Sequence, residues 1–162
     1  MLDLLQLSGL SAGAPPASIS AWVAQLFNVR DTEVGLLKLN GTLLHFVYPD
    51  ALKTAGAIPL ASSSVAARTA RTQQAELFNN FAKVDHFSVF ELVKLGDSGA
   101  DDQVIQKLMS APLLARDGKV AGVIQVSRKA ARLSAAGPDF TEDDLRMLEE
   151  VGRAVGKLIA GM

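Results

Sequence analysis

The chain has 162 residues, enough for one domain that buries about 70% of its unfolded surface without disulfide or metal staples. Its 16 Lys and Arg nearly balance 17 Asp and Glu, for a net charge of −1, which removes the basic excess expected of a non-specific nucleic-acid binder. It contains no cysteine, which excludes disulfides, thiolate metal sites, cysteine nucleophiles and thioether-linked chromophores, and fits a reducing compartment.

The opening MLDLLQLSGL is apolar but short, with Asp3 where a secretory signal would carry basic residues, and no stretch is long and apolar enough to span a bilayer. The expectation is a soluble cytoplasmic domain. Residues 1–17 read as an N-terminal extension with a short helix, broken by Gly13, Pro15 and Pro16, and residues 18–162 as the domain itself. In SISAWVAQLFNV, Ile19, Trp22, Val23, Leu26 and Phe27 recur at helical spacing, with Ser18 placed to cap. EVGLLKLNGTLLHFVYP reads as a hairpin of strands 33–39 and 42–48 turning at Asn40-Gly41. Alternation puts Leu44, Phe46 and Tyr48 on one face of the second strand and Leu43, His45 and Val47 on the other.

Ile58-Pro59-Leu60 is a short extended piece, followed by a helix over 65–72 with serines 62–64 as capping candidates. AELFNNF (75–81) reads as a strand, HFSVFELVKL (86–95) as a helix and GDSGADD (96–102) as a loop. Lys107–Ala115 and Lys119–Arg128 form a second hairpin around Arg116-Asp117-Gly118, with Val120, Gly122, Ile124 and Val126 alternating against Ala121, Val123, Gln125 and Ser127. The last helix opens with Thr141 as N-cap, Asp144 three residues on and Phe140 placed to staple onto Leu145; Leu145, Leu148, Val151, Val155 and Leu158 make its apolar seam.

Helices at both ends, two hairpins and a short helix between them predict an α+β fold: a central antiparallel sheet with the N- and C-terminal helices on one face and short helices and loops on the other. Three stretches carry a resemblance. Ile58-Pro59-Leu60 with SSSVAARTARTQQ, then APLLARDGKVAGVIQVS, then DFTEDDLRMLEEVGRAVGKLI together resemble the GAF domain family, over roughly Ile19 to Ile159. The resemblance implies a small-molecule-sensing or protein-interaction module, often dimeric through its terminal helices. The bilin-binding and free methionine sulfoxide reductase branches use cysteines this chain lacks, and the NKFDE signature of cyclic-nucleotide-binding members has no match, so the resemblance implies a non-catalytic domain without a cofactor.

In such a fold the ligand side is the sheet face covered by the middle of the chain. The candidate lining residues are Phe46, Tyr48, Ser62, Ser63, Ser64, Phe78, Asn79, Asn80, His86, Phe87, Phe90 and Gln125, an apolar set with few polar groups, as small-molecule sites usually are. Capping alone accounts for the serines and core packing for the phenylalanines, so each has a structural alternative. Free N–H groups at residues 62–64 would suit a ligand's anionic end, with Arg68 and Arg71 further along the helix. GDSG (96–99) has turn composition and lacks the base, acid and scaffold that a serine nucleophile requires. Two histidines, His45 and His86, on different elements do not make a metal site. Arg128, Lys129 and Arg132 read as a solvated connector. Gly152 and Gly156 lie one turn apart beside the seam, and each costs about 1 kcal/mol of helix propensity against Ala, so a close packing partner is expected. The candidates are the first helix or a second copy of the chain, the latter through Trp22, Leu148, Gly152, Val155 and Gly156. An unidentified protein partner would receive the output.

Overall fold

The computed structural model describes residues 13–54, 56–81 and 104–161. In chain order its elements are α1 (Pro16–Phe27), β1 (Val34–Asn40), β2 (Leu43–Tyr48), β3 (Ile58–Pro59), α2 (Val65–Thr72), β4 (Glu76–Phe78), β5 (Val104–Leu114), β6 (Val120–Ala130) and α3 (Glu142–Ala160). The expected N-terminal short helix, the helix over 86–95 and the loop over 96–102 fall outside the described residues.

All neighbouring strands pair antiparallel in one six-stranded sheet of order β3-β2-β1-β6-β5-β4. Its two faces bury separate apolar clusters. On one face Leu36, Met109, Ala111, Leu113, Ile124 and Val126 meet Ile19, Val23 and Phe27 of α1 and the seam of α3. On the other, Leu37, Leu44, Phe46 and Val123 meet Ile58 and the small side chains Ala66, Ala67 and Ala70 of α2, while Ile105 and Leu108 pack with Val65 and Phe81. The terminal helices therefore share one face and α2 takes the other, the α+β plan expected from the sequence.

Local signals account for most boundaries. Thr141 Oγ1 accepts from Asp144 N at 3.0 Å while Asp144 Oδ2 accepts from Thr141 N at 2.8 Å, a reciprocal cap that starts α3. Phe140 before it and Leu145 after it join the same apolar cluster. α1 begins two residues before its expected start: Pro16 occupies the first turn, where a missing N–H costs nothing, and Ser18 is inside the helix instead of capping it. The first hairpin turns at Gly41-Thr42, because Asn40 already pairs with Leu43; Gly41 supplies the positive φ (63°) at the first turn position. β4 is three residues long, shorter than the 75–81 expected, and β5 and β6 extend past their expected ends to Val104 and Ala130.

Two bulges overturn the expected faces. Leu36 pairs with Tyr48 but Leu37 with Phe46, so Val47 is an extra residue and Tyr48 packs with the terminal-helix cluster, opposite Phe46. Likewise Leu113 pairs with Gly122 and Leu114 with Val120, so Ala121 is extra and Val120 turns to the α2 side. Each bulge shifts the period-2 register by one, which no strict alternation can reveal.

Within the chain, the close neighbour of Gly152 and Gly156 is β5 and not α1. A Cβ on Gly152 would lie 2.3 Å from the Pro112 carbonyl oxygen, and one on Gly156 would lie 2.2 Å from that of Leu114 and 2.4 Å from its nitrogen. Only hydrogen at these positions lets the helix rest directly on strand backbone. Leu148 and Val155 are fully buried beside them, so this set is used within the chain, and Trp22 is half-buried against the same cluster. Gly156→Ala, although favoured by helix propensity, is expected to destabilise the fold by about 1–3 kcal/mol, because the backbone on which it closes cannot give as a side chain can. Urea unfolding checks this; an unchanged or raised midpoint would contradict the close approach.

Candidate functional site

The α2 side of the sheet is apolar except along one line. Alternation on β5 and β6 brings Ser110 opposite Gln125 and Leu108 opposite Ser127, and Gly35 of β1 is next to Gln125. Thr69, on the buried side of α2, sets its Oγ1 2.7 Å from Ser110 Oγ and also donates to the Val65 carbonyl at 2.9 Å. Gln125 Nε2 donates to Ser110 Oγ at 3.3 Å. Thr69 and Ser110 are fully buried and Gln125 is 4% exposed. Such groups are costly to bury unless they bond one another, and here they do. Beside Gln125 lies a recess of about 10 Å³, lined among the described residues by Gly35, Pro49, Ile105, Leu108, Gln125 and Ser127, with Thr32, Glu33, Val34 and Lys129 also lining it. That is the room of about one water molecule.

Glu33 is one of the residues lining this recess. Its side chain is 7% exposed, yet both carboxylate oxygens are saturated. Oε1 accepts from Arg30 N at 2.8 Å and Arg30 Nε at 3.2 Å; Oε2 accepts from Arg30 Nη2 at 3.2 Å and from Lys129 N at 2.6 Å. Burial alone would push this carboxyl up, but the bonds from Arg30 and from the Lys129 N–H, with the Arg30 charge, outweigh it and hold it below the usual glutamate value. Lys129 Nζ donates to the Thr32 carbonyl at 3.1 Å, and burial lowers its ammonium's pKa despite the attraction of Glu33. Ser127 Oγ donates to the Glu33 carbonyl at 3.3 Å.

The sequence-derived candidates separate into three groups. Gln125 ends the polar line, donating to its middle member Ser110, and Phe46, 4% exposed, belongs to the apolar floor beside it. Tyr48 faces the terminal helices, and its hydroxyl pKa is raised by burial and by Asp31 and Asp50. Ser64 caps α2, its Oγ accepting from Ala67 N at 3.1 Å; Ser62 Oγ lies 3.0 Å from Ser64 Oγ, and Ser63 is exposed. Asn79 is committed to the backbone of Phe140, donating to its carbonyl at 2.9 Å and accepting from its N–H at 2.8 Å. Phe78 packs edge-on against Phe81 with centroids 6.1 Å apart, and Asn80 is half-buried. His86, Phe87 and Phe90 lie outside the described residues.

The cations expected at a ligand's anionic end are also occupied. Arg68 pairs with Glu76, and Arg71 donates to the carbonyls of Leu60 and Ser62. Arg128 and Lys129, expected in a solvated connector, lie instead within the last residues of β6. Arg128 donates to the carbonyls of Phe27 and Asn28 at the end of α1 (3.2 and 3.1 Å) and stacks 4.7 Å over the Phe140 ring; Arg132 is exposed as expected. Sequence reasoning missed Ser110 and Ser127, whose partners lie far along the chain, and Glu33, which is held by nearby Arg30 together with the distant Lys129 N–H. Among the described residues, no group of three His, Cys, Asp or Glu side chains could hold a metal ion, and no helix is long and apolar enough to cross a membrane.

The Glu33 carboxyl has a direct pH consequence. Its folded pKa is below the unfolded value of about 4.5, so its stabilisation is complete above that pH and is lost as pH falls through the lower folded value. Wild type is expected to lose stability steadily below about pH 4.5, whereas Glu33→Gln, weaker at neutral pH, should show a flatter acid limb. Parallel acid limbs in thermal melts across pH would contradict this role.

Residues 20–160 match the GAF domain family. The structure is similar to the GAF domain of Acinetobacter phosphoenolpyruvate-protein phosphotransferase (TM-score 0.66, 16% identity, covering 97% of this chain and 88% of that one). It is similar to the GAF domain of the Coxiella burnetii phosphoenolpyruvate-protein phosphotransferase (0.69, 8%, 97% and 88%). A type II free methionine-R-sulfoxide reductase from Thermoplasma acidophilum is also similar (0.58, 14%, 97% and 95%). A comparison with curated proteins finds no match. The antiparallel sheet, the paired terminal helices on one face, α2 on the other and a match over nearly the whole chain make this a member of the GAF domain family.

Proposed function

We propose that the chain is a non-catalytic GAF sensory domain that responds to a small molecule on the α2 side of its sheet. One observation carries the reading: the buried Thr69–Ser110–Gln125 line beside a recess on an otherwise apolar face. A few oriented polar groups on apolar walls are what a small-molecule site requires. The sulfoxide reductase among the similar structures is an enzyme, but this chain has no cysteine with which to run thiol-based reduction. Its described polar side chains on this face are hydrogen-bonded to one another or to backbone, an arrangement suited to orienting a guest and not to moving protons.

A second reading, a ligand-free adaptor of the same fold, has its own support in the size of the recess, about 10 Å³. The sensor reading therefore entails opening of this face on binding, driven by differential affinity for the open state. Self-association through the terminal helices would use their outer sides, where Leu26 and Met147 are 40% and 39% exposed.

Isothermal titration with nucleotides, haem and small metabolites, run on wild type and Gln125→Leu, separates the two readings. The sensor reading expects saturable binding by at least one compound, weakened about tenfold or more in the variant, as for loss of one buried hydrogen bond to ligand. Silence throughout, with an unchanged melting temperature in every mixture, would leave the adaptor.

A further inference from the structure

Strand β6 presents alternate residues to opposite sides of the sheet near its end. Ser127 and Lys129 line the recess, while Arg128 between them reaches the terminal helices. On the recess side, Glu33 holds this stretch through the Lys129 N–H at 2.6 Å and receives the Ser127 hydroxyl on its carbonyl. On the helix side, the Arg128 guanidinium takes the last carbonyls of α1 and covers the ring of Phe140, the residue immediately before the α3 cap. Its cross-strand partner Lys107, 5% exposed, grips the same approach to α3 through Gly137 O at 2.9 Å and Asp139 Oδ1 at 2.5 Å.

We infer that Arg128 is a coupling residue: it transmits displacement of the Ser127–Lys129 backbone on the recess side to the end of α1 and the start of α3. A strand backbone cannot shift at Lys129 without carrying Arg128, since the two are adjacent peptide units in one paired ladder. The guanidinium is planar and contacts both helix ends at once, so a change of its position alters both holds together. Its Nε is buried without a hydrogen-bond partner among the described residues, so this placement forgoes a bond in order to bridge the two ends. The inference deepens the sensory reading by giving its route of output, yet it involves no ligand and fails or stands independently of binding.

The test is a double-mutant cycle read by amide hydrogen exchange on the full chain: wild type, Glu33→Gln, Arg128→Met and both together. The decisive amides are Phe140 to Leu145, because Glu33 has its own route to α1 through Arg30. Glu33→Gln is expected to speed their exchange about tenfold while sparing the α2 amides, and to add nothing in the Arg128→Met background. If Glu33→Gln does not fold, Ser127→Ala perturbs the same side more mildly; Arg128→Lys likewise replaces Arg128→Met. No change at the α3 start on perturbing the recess side, or an equal change with Arg128 already removed, would overturn the coupling.

Discussion

The architecture depends on one unusually close approach, the seating of α3 on the backbone of β5. A helix normally stands off a sheet by the thickness of side chains on both. Here Gly152 and Gly156 leave the helix surface bare where the carbonyls of Pro112 and Leu114 come forward. The flanking seam of Leu148, Val151, Val155 and Ile159 is then driven fully into the cluster shared with Met109, Ala111 and Leu113. The helix propensity forgone at two glycines, about 1 kcal/mol each, is offset by the apolar burial this permits. With α3 fixed, the face it covers is filled by the side chains of the terminal helices.

The opposite face is where the chain keeps its buried polarity. Thr69, Ser110 and Gln125 join α2 to β5 and β6 by side-chain bonds, while Glu33 joins β1's approach to β6 by charge-assisted ones. The two arrangements differ in kind. The first is neutral and short-ranged and can be exchanged for bonds to a guest at little net cost. The second is ionised and buried, so removing one partner leaves an uncompensated charge, which makes it a clasp. A neutral line and an ionic clasp thus lie side by side on this face.

How much of this was readable in advance follows the range of the interactions. The T-E-D-D cap of α3 and the alternation through Val123–Ser127 are set by neighbours in sequence and appear where local chemistry puts them, while the first hairpin forms as expected but turns one residue later, at Gly41-Thr42. The bulges at Val47 and Ala121 are not locally encoded, and they moved Tyr48 and Val120 to the faces opposite those expected. Asn79 looked like a ligand group because its partner, Phe140, is 61 positions away; Arg128 looked solvated because its acceptors are 100 and 101 positions away. Glu33 has a local partner in Arg30, three positions before it, but its hold on β6 depends on Lys129, 96 positions on. The glycine pair announced a close neighbour, but the candidates named for it, the first helix or a second copy, did not include β5, whose backbone closes on both glycines.

The central claim is that α3 lies directly on β5 of its own chain. Through-space proton contacts measured by NMR, on a sample mixing labelled and unlabelled protein, address it most directly. The account predicts strong intramolecular contacts from the Gly152 and Gly156 α-protons to protons of Pro112 through Leu114. Finding those contacts between chains, or not finding them while the rest of the sheet is intact, would contradict it.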